Sequence, residues 1–201
     1  MKVSILFSGG KDSSLVAILL SKIFEIELIT CSFGILSNWK KAEKAAEELG
    51  FPFKVLKLNK EIIREAASQA IKDGFPNNGI KHLHKEALKE VAKSSKIIAD
   101  GITRNDRVPA FSFSEIISFE DKLKVYYIQP LIGYSRKAIN LLAEKYFTIK
   151  EYESNSFVGA EYEFELREVI RNEYSAERVS EIFPQNHTHS IITKVKNFAK
   201  N

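Results

Sequence analysis

MKVSILFSGGKDSS, residues 1–14, decides how the rest of the chain is read. Val3 to Phe7 is an apolar run broken only by Ser4, the composition of a short buried strand. Ser8-Gly9-Gly10-Lys11-Asp12-Ser13-Ser14 follows as a tight turn of glycines and hydroxyls, and Leu15 to Phe24 is an almost unbroken apolar segment of helical length. Strand, glycine-rich turn and helix in immediate succession form a phosphate cradle of α/β proteins. Glycine lets backbone N–H groups approach an anion, and the helix start adds unpaired donors and a favourable dipole. Two common cradles are excluded by spacing. A Walker A loop needs Gly and Ser or Thr where this chain has Ile5 and Asp12, and no G-x-G-x-x-G occurs.

What is present, SGGKDS at residues 8–13, resembles the PP-loop motif SGG-x-DS of the N-type ATP pyrophosphatases. That superfamily includes GMP synthetase, NAD synthetase, the synthetase domain of asparagine synthetase and several tRNA-modifying enzymes. The resemblance extends over residues 1 to about 150 and implies an adenine nucleotide alpha hydrolase-like variant of the Rossmann fold. It implies that Ser8, Gly9, Gly10, Lys11, Asp12, Ser13 and Ser14 bind ATP. Asp12 also carries an argument of its own: a carboxylate beside a polyphosphate is repelled unless a cation lies between them, so it calls for Mg²⁺. The alternative is that Asp12 caps the helix.

Three further segments carry looser resemblances. Ser32 and Phe33 end the second strand, near where the superfamily grips adenine through backbone groups, and Phe33 is placed to supply an apolar wall; otherwise they are core, as is Cys31. Gly101 and Thr103, after the fourth strand, are expected to approach the nucleotide, with Asp106 as a second metal ligand. Arg104 and Arg107 there offer forked donors to phosphate or to an acidic substrate; the alternative is a solvated charged loop. Gln129-Pro130-Leu131-Ile132-Gly133-Tyr134-Ser135-Arg136-Lys137 resembles the superfamily segment P-L-x-x-L-x-K, with Tyr134 in place of leucine. Arg136, with Lys137 beside it, falls where a cation would assist departure of pyrophosphate, or else both are merely exposed. Asp12, Arg136 and Lys137 are thus the catalytic candidates.

Length and composition set the bounds. The chain has 201 residues, 44% hydrophobic, enough for one α/β domain with a real core. Cys31 is its only cysteine, which excludes an internal disulfide or a CxxC motif and suits a reducing cytosol. No segment reads as a signal peptide, and the longest apolar run, Leu15 to Leu20, is too short to span a bilayer. A soluble cytoplasmic protein is expected. A net charge of +4 is compatible with ATP, with RNA or with neither.

Onward from the first helix, strands are expected at Glu27–Phe33, Phe53–Leu58, Ile97–Asp100 and Val125–Gln129. Helices are expected at Ser37–Gly50, Glu61–Asp73, Ile80–Lys93 and Ser135–Phe147. Pro76-Asn77-Asn78-Gly79 reads as a turn and Thr103 to Phe113 as a polar loop. Alternating strands and helices predict an α/β fold, a doubly wound parallel sheet of about five strands over residues 1–150. From Glu151 the pattern changes to a helical C-terminal appendage, 151–201, with short helices at Glu161–Arg171 and Ser175–Phe183. It packs on the main domain or on a second subunit, so a homodimer is one arrangement. His82 and His84 project differently on their helix and read as surface. His187 and His189 lack an evident third ligand and read as a solvated tail. The acidic row Glu161, Glu163, Glu165 and Glu168 reads either as a helix surface or as a face for a cationic substrate.

The resemblance implies cleavage of Mg-ATP between the α- and β-phosphates. It implies an adenylated acceptor and released pyrophosphate, then displacement of AMP by ammonia, an amine or a sulfur species. Ligation or amidation of an unidentified small molecule is the first expectation, and tRNA modification by thiolation or amine ligation, with RNA as acceptor, the second. A sensor that holds ATP without turnover is the third. Neither membrane nor DNA is an expected partner.

Overall fold

The computed structural model describes residues 1–108, 110–153, 159–184 and 188–196. Strand β1 (Lys2–Leu6) is paired on both edges, which explains why Val3 and Ile5 are both apolar and fully buried. On one side lie β2 (Glu25–Ser32) and β3 (Phe53–Lys57), and on the other β4 (Ile97–Ala99) and β5 (Tyr126–Ile128). All pairings are parallel, in the order β3-β2-β1-β4-β5. The Rossmann-like parallel sheet expected from the sequence is therefore present. The chain builds outward from β1 in one direction, then returns to build in the other, and the crevice at such a reversal is where α/β sheets bind ligands.

Helices cover both faces. On one face α1 (Lys11–Leu20), α2 (Trp39–Leu49) and α6 (Arg136–Tyr146) bury Leu15, Ile18, Ala42, Ala45 and Ile139 in one cluster. On the other, α3 (Lys60–Asp73) and α4 (Asn77–Ala92) bury Ile63, Ala66, Leu83 and Leu88, and α5 (Phe113–Leu123) contributes Ile116 and Phe119 to the margin of that cluster. The third-to-fourth crossover therefore contains two helices in succession.

Four features depart from the sequence expectation. Helix α1 begins at Lys11, inside the glycine-rich segment, with Gly10 as its N-cap. Asn77, Asn78 and Gly79 are the first turn of α4 and not a turn between helices. There Asn78 binds Asp73, Asn77 reaches the Arg107 carbonyl, and Gly79 lies against α3. The expected polar loop gives way at Phe113 to α5, opened by a reciprocal capping box between Ser112 and Glu115. Finally, the C-terminal region is not helical alone. Strand β6 (Phe147–Glu153) runs across residue 150 and pairs antiparallel with β7 (Thr188–Val195). Between them, α7 (Tyr162–Glu173) and α8 (Ala176–Ile182) lie close to the expected helices. Phe147 and Ile192 of the ribbon join the first core cluster, and Leu166, Ile170 and Val179 of the helices join the second.

Candidate functional site

The loop after β1 is shaped by its neighbours. Gly9 has φ +78°, and a Cβ on it would lie 3.0 Å from the Cα of Ala42 in α2, so glycine alone fits. The loop's donors rest on hydroxyl oxygens at long distances. Gly10 N donates to Ser8 Oγ at 3.3 Å, Ser8 N to Ser13 Oγ at 3.4 Å, and Lys11 N to Ser190 Oγ of β7 at 3.4 Å. These lengths are at the weak end for N–H···O bonds, and an anion accepting the same protons would replace them. Ribbon strand β7 lies directly on the loop, with Ile192 N donating to Gly9 O at 3.1 Å.

Asp12 is not the cap of α1; it sits in the first turn behind Gly10, which makes no side-chain cap bond. Lys11 Nζ donates to both of its oxygens, at 3.1 and 3.2 Å. Burial pushes the Asp12 carboxyl above its ordinary value, Lys11 opposes this, Asp106 adds to it and Arg136 opposes it. Those four charges therefore share one neighbourhood. Gly101 closes the far wall: a Cβ there would meet Ser13 N at 2.8 Å and the Asp12 carbonyl carbon at 3.1 Å. Its role in the structure is close packing of the β4 loop on the start of α1.

A cavity of about 360 Å³ opens at the carboxyl ends of β1 and β4. Ser8, Gly10, Lys11, Asp12 and Ser13 line it, together with Gly101 and Asp106 from the segment after β4 and Arg136 from the start of α6. The remaining expected residues do not. Gly9 faces α2, and Ser14 is fully buried. Thr103 is buried and bound to Asp106, whose Oδ2 accepts from Thr103 N at 2.8 Å and whose Oδ1 accepts from its hydroxyl at 2.9 Å. Arg104 and Lys137 are exposed outside the lining.

Ser32 and Phe33 are occupied from within the chain. The buried Glu165 carboxylate of α7 accepts from Ser32 Oγ at 3.2 Å, Phe33 N at 3.0 Å, Ile35 N at 3.0 Å and Leu36 N at 3.3 Å. The Phe33 ring is 1% exposed and meets Tyr162 edge-on, so it walls no open pocket. Ile29, Thr30 and Cys31 are the β2 residues that line the cavity, and burial pushes the Cys31 thiol up to about 12, which leaves it inert.

Two constellations escaped the sequence reading. His84 of α4 is not a surface residue: its side chain is 15% exposed, and Nε2 lies 2.7 Å from Asp100 Oδ2 at the end of β4. The same oxygen accepts from the Tyr127 hydroxyl, Asp100 Oδ1 accepts from Ile102 N at 3.1 Å, and Gln129 Nε2 donates to the Tyr127 oxygen at 3.0 Å. The signal available beforehand was Asp100 at a strand's carboxyl end, a position of known value in this architecture. The second constellation is His189, which is buried in β7 and not a solvated tail. Its ring stacks on Tyr152 at 5.7 Å, and its nitrogens lie 3.9 Å from Glu161 and 4.0 Å from Glu163. Glu163 is in turn bound by Arg167 at 2.6 Å. His187 lies outside the described residues. Among the described residues no group of three or more His, Cys, Asp or Glu side chains is arranged to hold a metal ion. Likewise no helix among them is long and apolar enough to cross a membrane.

Residues 1–194 match the family described as "Family of unknown function (DUF7411)", and the chain belongs to that family. It is 39% identical over 187 residues, 92% of each chain, to the "Uncharacterized protein MJ0690" of Methanocaldococcus jannaschii. A crystal structure described as a predicted subunit of tRNA methyltransferase from the same species superposes with a TM-score of 0.89, at 37% identity over 98% of both chains. The U34-tRNA thiolase NcsA of Methanococcus maripaludis shares 18% identity at a TM-score of 0.46, covering 90% of this chain and 69% of that one. That likeness is too remote to bear on function.

Proposed function

We propose that this protein binds Mg-ATP in the cavity at the ends of β1 and β4 and uses it to adenylate a position in tRNA. The carrying observation is that the SGGKDS loop, Asp12 and Arg136 meet on one cavity, although Arg136 stands more than one hundred residues away in the chain. Gly10, Lys11 and Ser13 would hold the phosphates through backbone donors and hydroxyls, and Lys11 and Arg136 would balance their charge. Asp12 suits Mg²⁺, which is commonly held by one or two carboxylates together with phosphate oxygens. When bound, that ion would neutralise the charge of the departing pyrophosphate. With Phe33 N taken by Glu165, Ile29, Thr30 and Cys31 are left as the β2 contribution beside the nucleotide.

RNA is preferred to a small-molecule acceptor because the related crystal structure, similar over 98% of both chains, is described as a predicted tRNA methyltransferase subunit. The experiment is to incubate the purified protein with Mg-ATP and unfractionated tRNA and identify the products. AMP and pyrophosphate that appear only with tRNA support the proposal. Formation of ADP, or equal AMP release without RNA, defeats it.

A further inference from the structure

A second cavity of about 410 Å³ adjoins the first, and His84, Arg136 and Tyr162 line both. Its own walls bring Lys81, Arg107 and Phe111, two cations and an aromatic face. Lys81 Nζ lies 5.3 Å from the centre of the Phe111 ring. His84 stands at the junction. Phe111 stacks on its ring at 5.9 Å and 24°, and Tyr162 crosses it at 6.1 Å. Asp100 fixes Nε2, and Asp100 is itself held by Tyr127 and by Ile102 N. An imidazole whose Nε2 donates to a buried carboxylate carries its lone pair on Nδ1. No hydrogen bond to Nδ1 is made among the described residues. A base oriented by a carboxylate, at a wall common to two chambers, has the form of a proton-transfer group.

We propose that the second chamber seats the acceptor, a single nucleotide of RNA, and that His84 takes its proton. This rests on the adenylation reading above. Phe111 supplies a stacking face, and Lys81 and Arg107 supply charge for the RNA backbone. The attacking atom is an amide oxygen of the base, and the ring N–H conjugated with it gives its proton to His84 Nδ1. That oxygen places an electron pair on the α-phosphorus. The bond from the α-phosphorus to the α–β bridging oxygen breaks, and its pair leaves on pyrophosphate. The products are the adenylated base, pyrophosphate and a protonated His84, which returns its proton to water.

The test compares wild type with His84→Ala and His84→Gln, the second keeping a donor toward Asp100 but offering no base. Mg-ATP affinity by calorimetry should stay within about twofold, while tRNA-dependent AMP release falls about 100-fold or more, the scale of a lost general base. Imidazole and its methylated derivatives should restore the Ala variant, faster as the pKa of the added base rises. Activity of both variants within about threefold of wild type, or no rescue by any imidazole, overturns the base role alone. Wild-type protein that binds Mg-ATP but releases no AMP with tRNA overturns the adenylation reading, and this role with it.

Discussion

Gly101 has no side chain, and the start of α1 leaves no room for one. Ser13 N would stand 2.8 Å from a Cβ there. Gly101→Ala should therefore push the β4 loop off Asp12 and Ser13, costing about 1–3 kcal/mol as an overpacked contact. Thermal unfolding measures the cost, and a melting temperature equal to wild type would show that the wall yields freely. Burial, with the Glu163 carboxylate adding to it, raises the Glu161 carboxyl from an ordinary 4.5 to about 8. The fold thus favours the protonated form, so the contribution is full below about 4.5 and is lost as pH rises through about 8. Wild-type melting temperature should fall across that window and Glu161→Gln should flatten the fall; parallel profiles for the two proteins would refute the shift. The place of Asp12 at the start of α1, beside Lys11, was legible in the sequence because it depends on adjacent residues. His84 was not, because its partner Asp100 lies sixteen positions away, on a different element.

Elements with a single apolar stripe or a buried run were readable. β1, α2 and α3 fall within a few residues of expectation, since β1 is buried on both faces and α2 and α3 each bury one continuous stripe. α5 was missed because its apolar residues divide. Ile116 and Phe119 turn inward, while Phe113 is 86% and Ile117 56% exposed, so no stripe stands out. Its capping box Ser112-x-x-Glu115 was the overlooked signal. β6 and β7 were missed for another reason: a two-stranded ribbon has little stability alone and exists here through packing on α2 and the glycine loop. The acidic row on α7 likewise proves structural at Glu165, whose carboxylate gathers four donors from residues 32–36. Glu165→Ala would leave those buried groups unpartnered and should destabilise the protein by about 3 kcal/mol or more in urea unfolding. A cost below about 1 kcal/mol would mean that water replaces the carboxylate.

At the scale of the molecule, three distant stretches converge on the cavity proposed for the nucleotide: the loop after β1, the segment after β4 and the last strand of the ribbon. The convergence of the first two follows from parallel topology and was legible. The arrival of β7 depends on a fold of the C-terminal region that no local pattern announced. If the cavity takes nucleotide, Mg-ATP should slow amide hydrogen exchange in residues 8–14, 100–106 and 188–192 together, and leave β3 unchanged. Protection confined to the first stretch would separate the ribbon from the site.

The most direct measurement is ATP affinity by calorimetry, with and without Mg²⁺, for wild type and Asp12→Asn. Wild type should bind more tightly with Mg²⁺. The Asp12→Asn variant should lose at least about tenfold of that affinity, about 1.4 kcal/mol, and should no longer respond to the ion. Equal, magnesium-dependent affinity in both proteins would contradict the assignment of this loop as a metal-nucleotide site.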